Sequence, residues 1–117
     1  MATLFLLRHS PYGSTLAREA LDMALASAAF GEEVVLLFSG DGVLQLLAGQ
    51  QGELRQQKNL EKSLSVLPLY EIEKVYADQF SLAARGVDLQ QLAVPAEIID
   101  SRRVSELLRT ADAIMSF

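Results

Sequence analysis

Leu4-Phe5-Leu6-Leu7 and Val34-Val35-Leu36-Leu37-Phe38 are the two stretches on which the fold turns. Neither alternates apolar with polar residues. Each therefore reads as a strand buried on both faces, the condition of an inner strand in a parallel sheet covered by helices. Both runs end within a few residues at Ser, Gly or Pro, too soon for helices. Between them, Thr15 to Phe30 carries Leu21, Ala24, Leu25 and Ala28 at helical spacing, with Arg18, Glu19, Asp22 and Ser27 supplying the polar remainder. Ser14 or Thr15 is expected to cap this helix, and Gly31 to close it in the left-handed conformation. Strand, helix, strand is a βαβ unit with a right-handed crossover. The helix is rich in alanine and can lie close to the sheet.

Working outward, Ser39-Gly40-Asp41-Gly42 leads into Val43-Leu44-Gln45-Leu46-Leu47, read as a short helix capped by Asp41. Gly49 to Gln57 reads as a loop, and Leu60 to Leu67 as a second helical stretch stopped by Pro68. Ile72 to Ala77 is a third strand, Ser81 to Arg85 a short helix with Gly86 behind it, and Glu97-Ile98-Ile99 a fourth strand. Ser101 is expected to cap Arg102 to Arg109, where Val104, Leu107 and Leu108 share a face, and Ala113-Ile114-Met115 forms the last strand. This alternation predicts one domain over residues 1–117, a three-layer, flavodoxin-like α/β fold with a mainly parallel five-stranded sheet.

Composition narrows the function. The chain has 117 residues, 50% hydrophobic and 21% charged, with net charge −5. An apolar content this high excludes a disordered chain. The acidic balance argues against direct nucleic-acid binding, which calls for a basic face. Arg55, Lys58 and Lys62, and later Arg102, Arg103 and Arg109, are diluted by Glu53, Glu61 and Glu106 and read as solvated helix faces. There is no cysteine, which rules out disulfides, thiolate metal sites and thiol chemistry on this chain. No run approaches the roughly 18 apolar residues of a membrane span. Met1 to Leu7 lacks the basic start of a signal peptide, so a soluble, cytoplasmic protein is expected.

In open α/β sheets, ligands bind beyond the carboxyl ends of the strands. Arg8-His9-Ser10, Ser39-Gly40-Asp41-Gly42, Asp78-Gln79, Asp100-Ser101-Arg102 and Ser116-Phe117 stand there. Leu7-Arg8-His9-Ser10 is similar to the signature of histidine phosphatases, but that chemistry needs a second histidine and His9 is alone. Pro11-Tyr12-Gly13-Ser14-Thr15 lacks the glycine spacing and lysine of a P-loop and reads as a turn followed by a cap. Asp41, Asp78 and Asp100 are isolated in sequence and form no evident acid–base pair. No catalytic group, cofactor site or metal site stands out. Such a chain is expected to work by contact, and Asp41, Val43, Leu44, Gln45, Leu47 and Leu82 are the candidate partner interface.

Ser10-Pro11-Tyr12-Gly13-Ser14-Thr15, followed by Ala17-Arg18-Glu19-Ala20-Leu21-Asp22, resembles the first loop and helix of the DsrE/DsrF-like sulfur-relay proteins. Asp41-Gly42-Val43-Leu44-Gln45-Leu46-Leu47-Ala48-Gly49-Gln50 resembles the hallmark of the TusC (DsrF) branch. Leu69-Tyr70-Glu71-Ile72-Glu73, Arg85-Gly86-Val87-Asp88 and Asp112-Ala113-Ile114-Met115-Ser116-Phe117 continue the likeness, which spans the chain in order. The resemblance implies a subunit of a cytoplasmic complex in which TusB-, TusC- and TusD-like chains form a dimer of heterotrimers. That complex passes persulfide sulfur toward 2-thiolation of the wobble uridine in tRNA. In the sulfur-carrying subunit the reactive cysteine follows the third strand, and the matching position here is Asp78. A carboxylate cannot hold sulfane sulfur, so the resemblance implies a non-catalytic subunit and no enzyme activity of its own. The alternatives are a DsrF-like subunit in dissimilatory sulfur oxidation, a flavodoxin-like module binding a nucleotide or flavin, and a self-associating interaction protein.

Overall fold

A computed structural model describes residues 2–11, 15–47, 63–92 and 95–117. Five strands, β1 (Ala2–Leu7), β2 (Glu33–Phe38), β3 (Lys74–Asp78), β4 (Glu97–Ile99) and β5 (Ala113–Ser116), form one sheet of order β4-β3-β2-β1-β5. Every pairing is parallel. The α-helices are α1 (Leu16–Ala29), α2 (Gln79–Ala84) and α3 (Ser101–Thr110), and 3-10 helices cover Gly40–Leu46, Leu67–Tyr70 and Leu89–Gln91. The strand order departs from the 2-1-3-4-5 of flavodoxin itself. From β1 to β4 the chain always steps the same way, so right-handed crossovers put α1, the first two 3-10 helices and α2 on one face. Only the return from β4 to β5 steps back, which puts α3 on the other face.

The two faces match the two halves of the core. Register pairs Phe5 with Leu36 and Leu7 with Phe38. These side chains pack with Ala17, Ala20, Leu21 and Ala24 of α1 and with Val43, Leu46, Leu64, Leu67 and Leu82. The opposite face carries Leu4, Val35, Leu37 and Ile99, covered by Val104, Leu107 and Leu108 of α3. Both-sided burial thus follows from the unalternating runs in β1 and β2. Ala17, Ala20 and Ala24 of α1 are buried against the sheet, and Leu21 is 0% exposed, a burial worth about 1.5–3 kcal/mol. Edge strand β5 is different, with all four of its residues exposed.

Local details correct several expectations. Thr15 occupies the cap position of α1, but its side chain accepts from no backbone N–H of the helix; its hydroxyl donates instead to Glu19 Oε1 at 3.2 Å. Gly31 does close the helix in the left-handed region, with φ +88°. Asp41 lies inside its 3-10 helix while Ser39 holds the cap position. Pro68 does not stop a helix but opens the 3-10 turn Leu67–Tyr70, where its missing N–H is no loss. Residues 63–65 are helical; the rest of the Leu60 to Leu67 expectation, and the loop from Gly49 to Gln57, lie outside the described residues. Strand β3 begins at Lys74 rather than Ile72, because Glu71 turns the chain at φ 61° and drops Ile72 into the core ahead of the ladder. A non-glycine residue in that conformation costs about 1 kcal/mol. Asp100, not Ser101, caps α3, its Oδ1 accepting from the Arg103 N–H at 2.9 Å.

Candidate functional site

Three segments meet at the carboxyl rim of the sheet: the turn after β2, the 3-10 helix that follows it, and the β3–α2 junction. Asp78 is the last residue of β3 and the cap of α2. Its Oδ1 accepts from the Phe80 N–H at 3.2 Å. Its Oδ2 accepts from the Ser81 hydroxyl at 2.6 Å and the Ser39 hydroxyl at 3.3 Å. Ser81 is buried, and its oxygen accepts in turn from the Gly40 N–H at 2.9 Å. One carboxylate therefore ties β2, β3, α2 and the 3-10 helix together. Charge-assisted bonds of this kind are the stronger sort.

Asp41 joins the same region from outside. Arg85, at the end of α2, donates from Nε to Asp41 Oδ1 at 3.0 Å and from a terminal nitrogen to the Ser81 carbonyl at 3.1 Å. The Asp41 carboxylate is mostly exposed, so this ion pair contributes at most about 1 kcal/mol. Gly42 supplies the close approach that lets the 3-10 helix seat here. A Cβ at that position would lie 1.8 Å from the Leu7 carbonyl oxygen.

The structure separates the sequence-derived candidates. Asp41 and Asp78, isolated in sequence, share one network through Arg85 and Ser81, whereas Asp100 is taken up in capping α3. The expectation that Val43, Gln45 and Leu82 face a partner is corrected: these residues are 0%, 2% and 4% exposed, because the 3-10 helix and α2 turn them onto the chain's own sheet. Asp41 is exposed and Leu44 and Leu47 are half-buried. The Gln45 amide donates to the His9 carbonyl at 2.8 Å, and His9 itself is an exposed loop residue. Arg8 turns to the C-terminus, donating from Nε to the Ser116 hydroxyl at 2.9 Å. Arg103, read as simply solvated, lies 5.9 Å from the Tyr76 ring centre and pairs with Glu106. Residues 12–14 of the Pro11–Thr15 loop, and Arg55, Lys58 and Lys62, lie outside the described residues. Among the described residues no group of three metal-ligating side chains converges, and no helix is long and apolar enough to cross a membrane.

Sequence reasoning placed Ser39 at this rim but missed Phe80 and Ser81. Ser81 stands three residues after Asp78, the spacing at which a cap faces the first turn of its helix, and that was the available signal. Phe80 is 72% exposed beside Asp78.

At the opposite rim, Lys74 donates to Glu33 Oε1 at 2.8 Å. The hydrogen bond, and then the charge of Lys74, hold the Glu33 carboxyl below the usual carboxylate range, and the same pair raises Lys74. What this pair adds to stability is present above the ordinary pKa of Glu33 and fades as pH falls through its lowered value. On the alkaline side it fades as pH rises through the raised value of Lys74. The pair lies at the solvent-exposed surface, so the effect belongs in a site-resolved NMR titration. Lys74→Ala is expected to bring the Glu33 midpoint back up; an unchanged midpoint would refute the assignment.

The fold and the rim together define a class: a small parallel α/β domain with a polar junction of Asp78, Ser39 and Ser81 after its third strand and no thiol in the chain. The chain belongs to the DsrE/DsrF-like family, which it matches over residues 1–117. It is 40% identical to the intracellular sulfur oxidation protein DsrF of Allochromatium vinosum, covering 97% of this chain and 94% of that one. It is 38% identical to a TusC homolog of Pseudomonas aeruginosa, covering 97% and 95%. These relatives make it a member of a sulfur-relay family. The crystal structure of the ychN protein from E. coli superposes with a TM-score of 0.84, covering 100% of this chain and 99% of that one; at 22% identity it speaks for the fold alone.

Proposed function

We propose that this chain is the non-catalytic, TusC-type subunit of a cytoplasmic sulfur-relay complex. Its sister subunits are TusB- and TusD-like, and the complex passes persulfide sulfur toward 2-thiolation of the wobble uridine in tRNA. The observation that carries the reading is Asp78. It stands at the position matched to the family's sulfur carrier, in a chain without cysteine, with both oxygens engaged in holding the junction together. Sulfur transfer proceeds by thiolate attack on the outer sulfur of a persulfide, and a carboxylate has no atom for that exchange. The chain serves the relay by shape, seating the partner that carries the thiol.

Co-expression with TusB- and TusD-like chains from the same genome, followed by native mass measurement, tests assembly. A complex containing all three is expected; failure to co-purify would overturn the proposal. Deleting the gene and measuring 2-thiouridine in tRNA tests the pathway, with loss of the modification expected.

The 40% identity to the DsrF protein keeps a second reading in play, that of a DsrF-like subunit serving sulfur oxidation. Unchanged 2-thiouridine together with impaired sulfur oxidation in the deletion strain would select it.

The match of Asp78 to the carrier position has its own test. An Asp78→Cys thiol would meet the same Phe80 N–H and serine hydroxyls, donors that favour thiolate. The variant is expected to gain one sulfur atom from a small-molecule persulfide, seen as a mass increase that a reductant removes, while the native chain gains none. An unlabelled variant would remove the positional match.

A further inference from the structure

The amino rim of the sheet, on the far side from Asp78, carries a surface that the relay reading does not use. Phe30 and Leu69 are 88% and 81% exposed, and Tyr70 is 41% exposed. Phe30 and Leu69 directly precede Gly31 and Tyr70, which line a groove of about 260 Å³ together with Glu32, Glu33, Glu71 and Ile72. A second groove of about 620 Å³ shares Gly31, Glu32 and Glu33 and runs on to Ala2, Asp112 and Ala113 at the start of β5. The two form one trough across the amino ends of the strands. Side chains as apolar and exposed as Phe30 and Leu69, each next in the chain to a groove-lining residue, mark a contact surface.

Charge identifies the occupant. Four carboxylates, Glu32, Glu33, Glu71 and Asp112, line the trough, and among the described residues that line it no side chain is basic. Glu33 is satisfied by Lys74 outside the grooves, and Asp112 accepts from the Ala2 N–H at 2.8 Å. Glu32 and Glu71 are exposed. Glu71 also holds the left-handed backbone position at φ 61°, where glycine or asparagine would sit with less strain.

We propose that this trough docks a basic segment of another protein, with an apolar side chain of that segment lying against Phe30 and Tyr70 and its lysine or arginine groups reaching Glu32 and Glu71. The acids steer the encounter and fix its register, and the aromatic contacts supply the anchor. The site is independent of the Asp78 junction, so it stands or falls separately from the assembly of the relay complex.

The test uses the full chain and a fluorescein-labelled peptide of lysines and glycines around a single tryptophan. Its twin carries glutamate for every lysine. Fluorescence anisotropy is expected to show saturable, salt-weakened binding of the lysine peptide only. Phe30→Ser, and separately Glu32→Lys with Glu71→Lys, should each weaken it about tenfold or more. Asp88→Lys with Glu106→Lys makes the same change in net charge on other elements and should leave binding within about twofold of the native protein. Equal weakening by the two charge-reversed pairs would reduce the effect to general attraction by an acidic chain and overturn the proposal. So would indifference to Phe30→Ser, which alters an exposed side chain and leaves the core intact. Self-association that Phe30→Ser abolishes in sedimentation would assign the face to a second copy and also overturn it.

Discussion

Gly42→Ala is expected to destabilise the protein by about 3 kcal/mol or more, lowering the melting temperature on the order of 10 °C. The added methyl would sit 1.8 Å from the Leu7 carbonyl oxygen and 2.6 Å from its carbon. That carbonyl cannot retreat freely, because it accepts from the Ser39 N–H at 3.0 Å as β1 and β2 end together. Relief requires the Gly40–Leu46 helix to lift off the sheet, and that helix carries Val43 and Leu46, both 0% exposed. Gly31→Ala is the control. Gly31 has φ +88° and no atom within 4 Å of an added Cβ, so only the backbone penalty applies, about 1 kcal/mol. Urea unfolding of both variants separates the two causes. Equal losses would show that the close approach at Gly42 does not constrain the fold.

Asp78→Ala is expected to cost about 2–4 kcal/mol. About 1 kcal/mol comes from the lost cap of α2. The rest comes from the Ser81 hydroxyl, which is buried and would keep its bond from the Gly40 N–H but lose its own acceptor. Asp78→Asn should be milder, since an amide oxygen can still accept at the same place. The decisive measurement is a double-mutant cycle with Ser81→Ala. A coupling of about 1–2 kcal/mol is expected, and additivity within about 0.3–0.5 kcal/mol would refute the network. A large loss also bears on the relay reading. It would show that the carboxylate at the position proposed to match the carrier is part of the framework of this chain.

Legibility followed the length over which each feature is determined. The strands β1, β2 and β4 and the extent of α1 were readable because unalternating runs and helical periodicity are set by neighbouring residues. Capping was read less well. Thr15 and Ser101 were plausible caps by type, yet a cap depends on the backbone angles at one residue, and Asp100 and Asp78 took the role at their junctions. The apolar residues of Val43 to Leu47 could have faced a partner or the sheet with equal claim from sequence. Gly42 decided between them by letting the 3-10 helix seat against β1.

The sequence by itself determined that this polypeptide has no thiol, that it folds as layered α/β structure, and that its string from Asp41 to Gln50 places it beside the TusC branch. Those are matters of atoms present and of short-range pattern. The tertiary structure alone decided that Asp78 meets Ser39, 39 residues away, that Asp41 meets Arg85, 44 residues away, and that the apolar and acidic side chains of the amino rim form one trough. The reason is the parallel sheet: it brings the ends of successive strands to a common rim whatever lies between them, so distant residues become neighbours through topology rather than spacing.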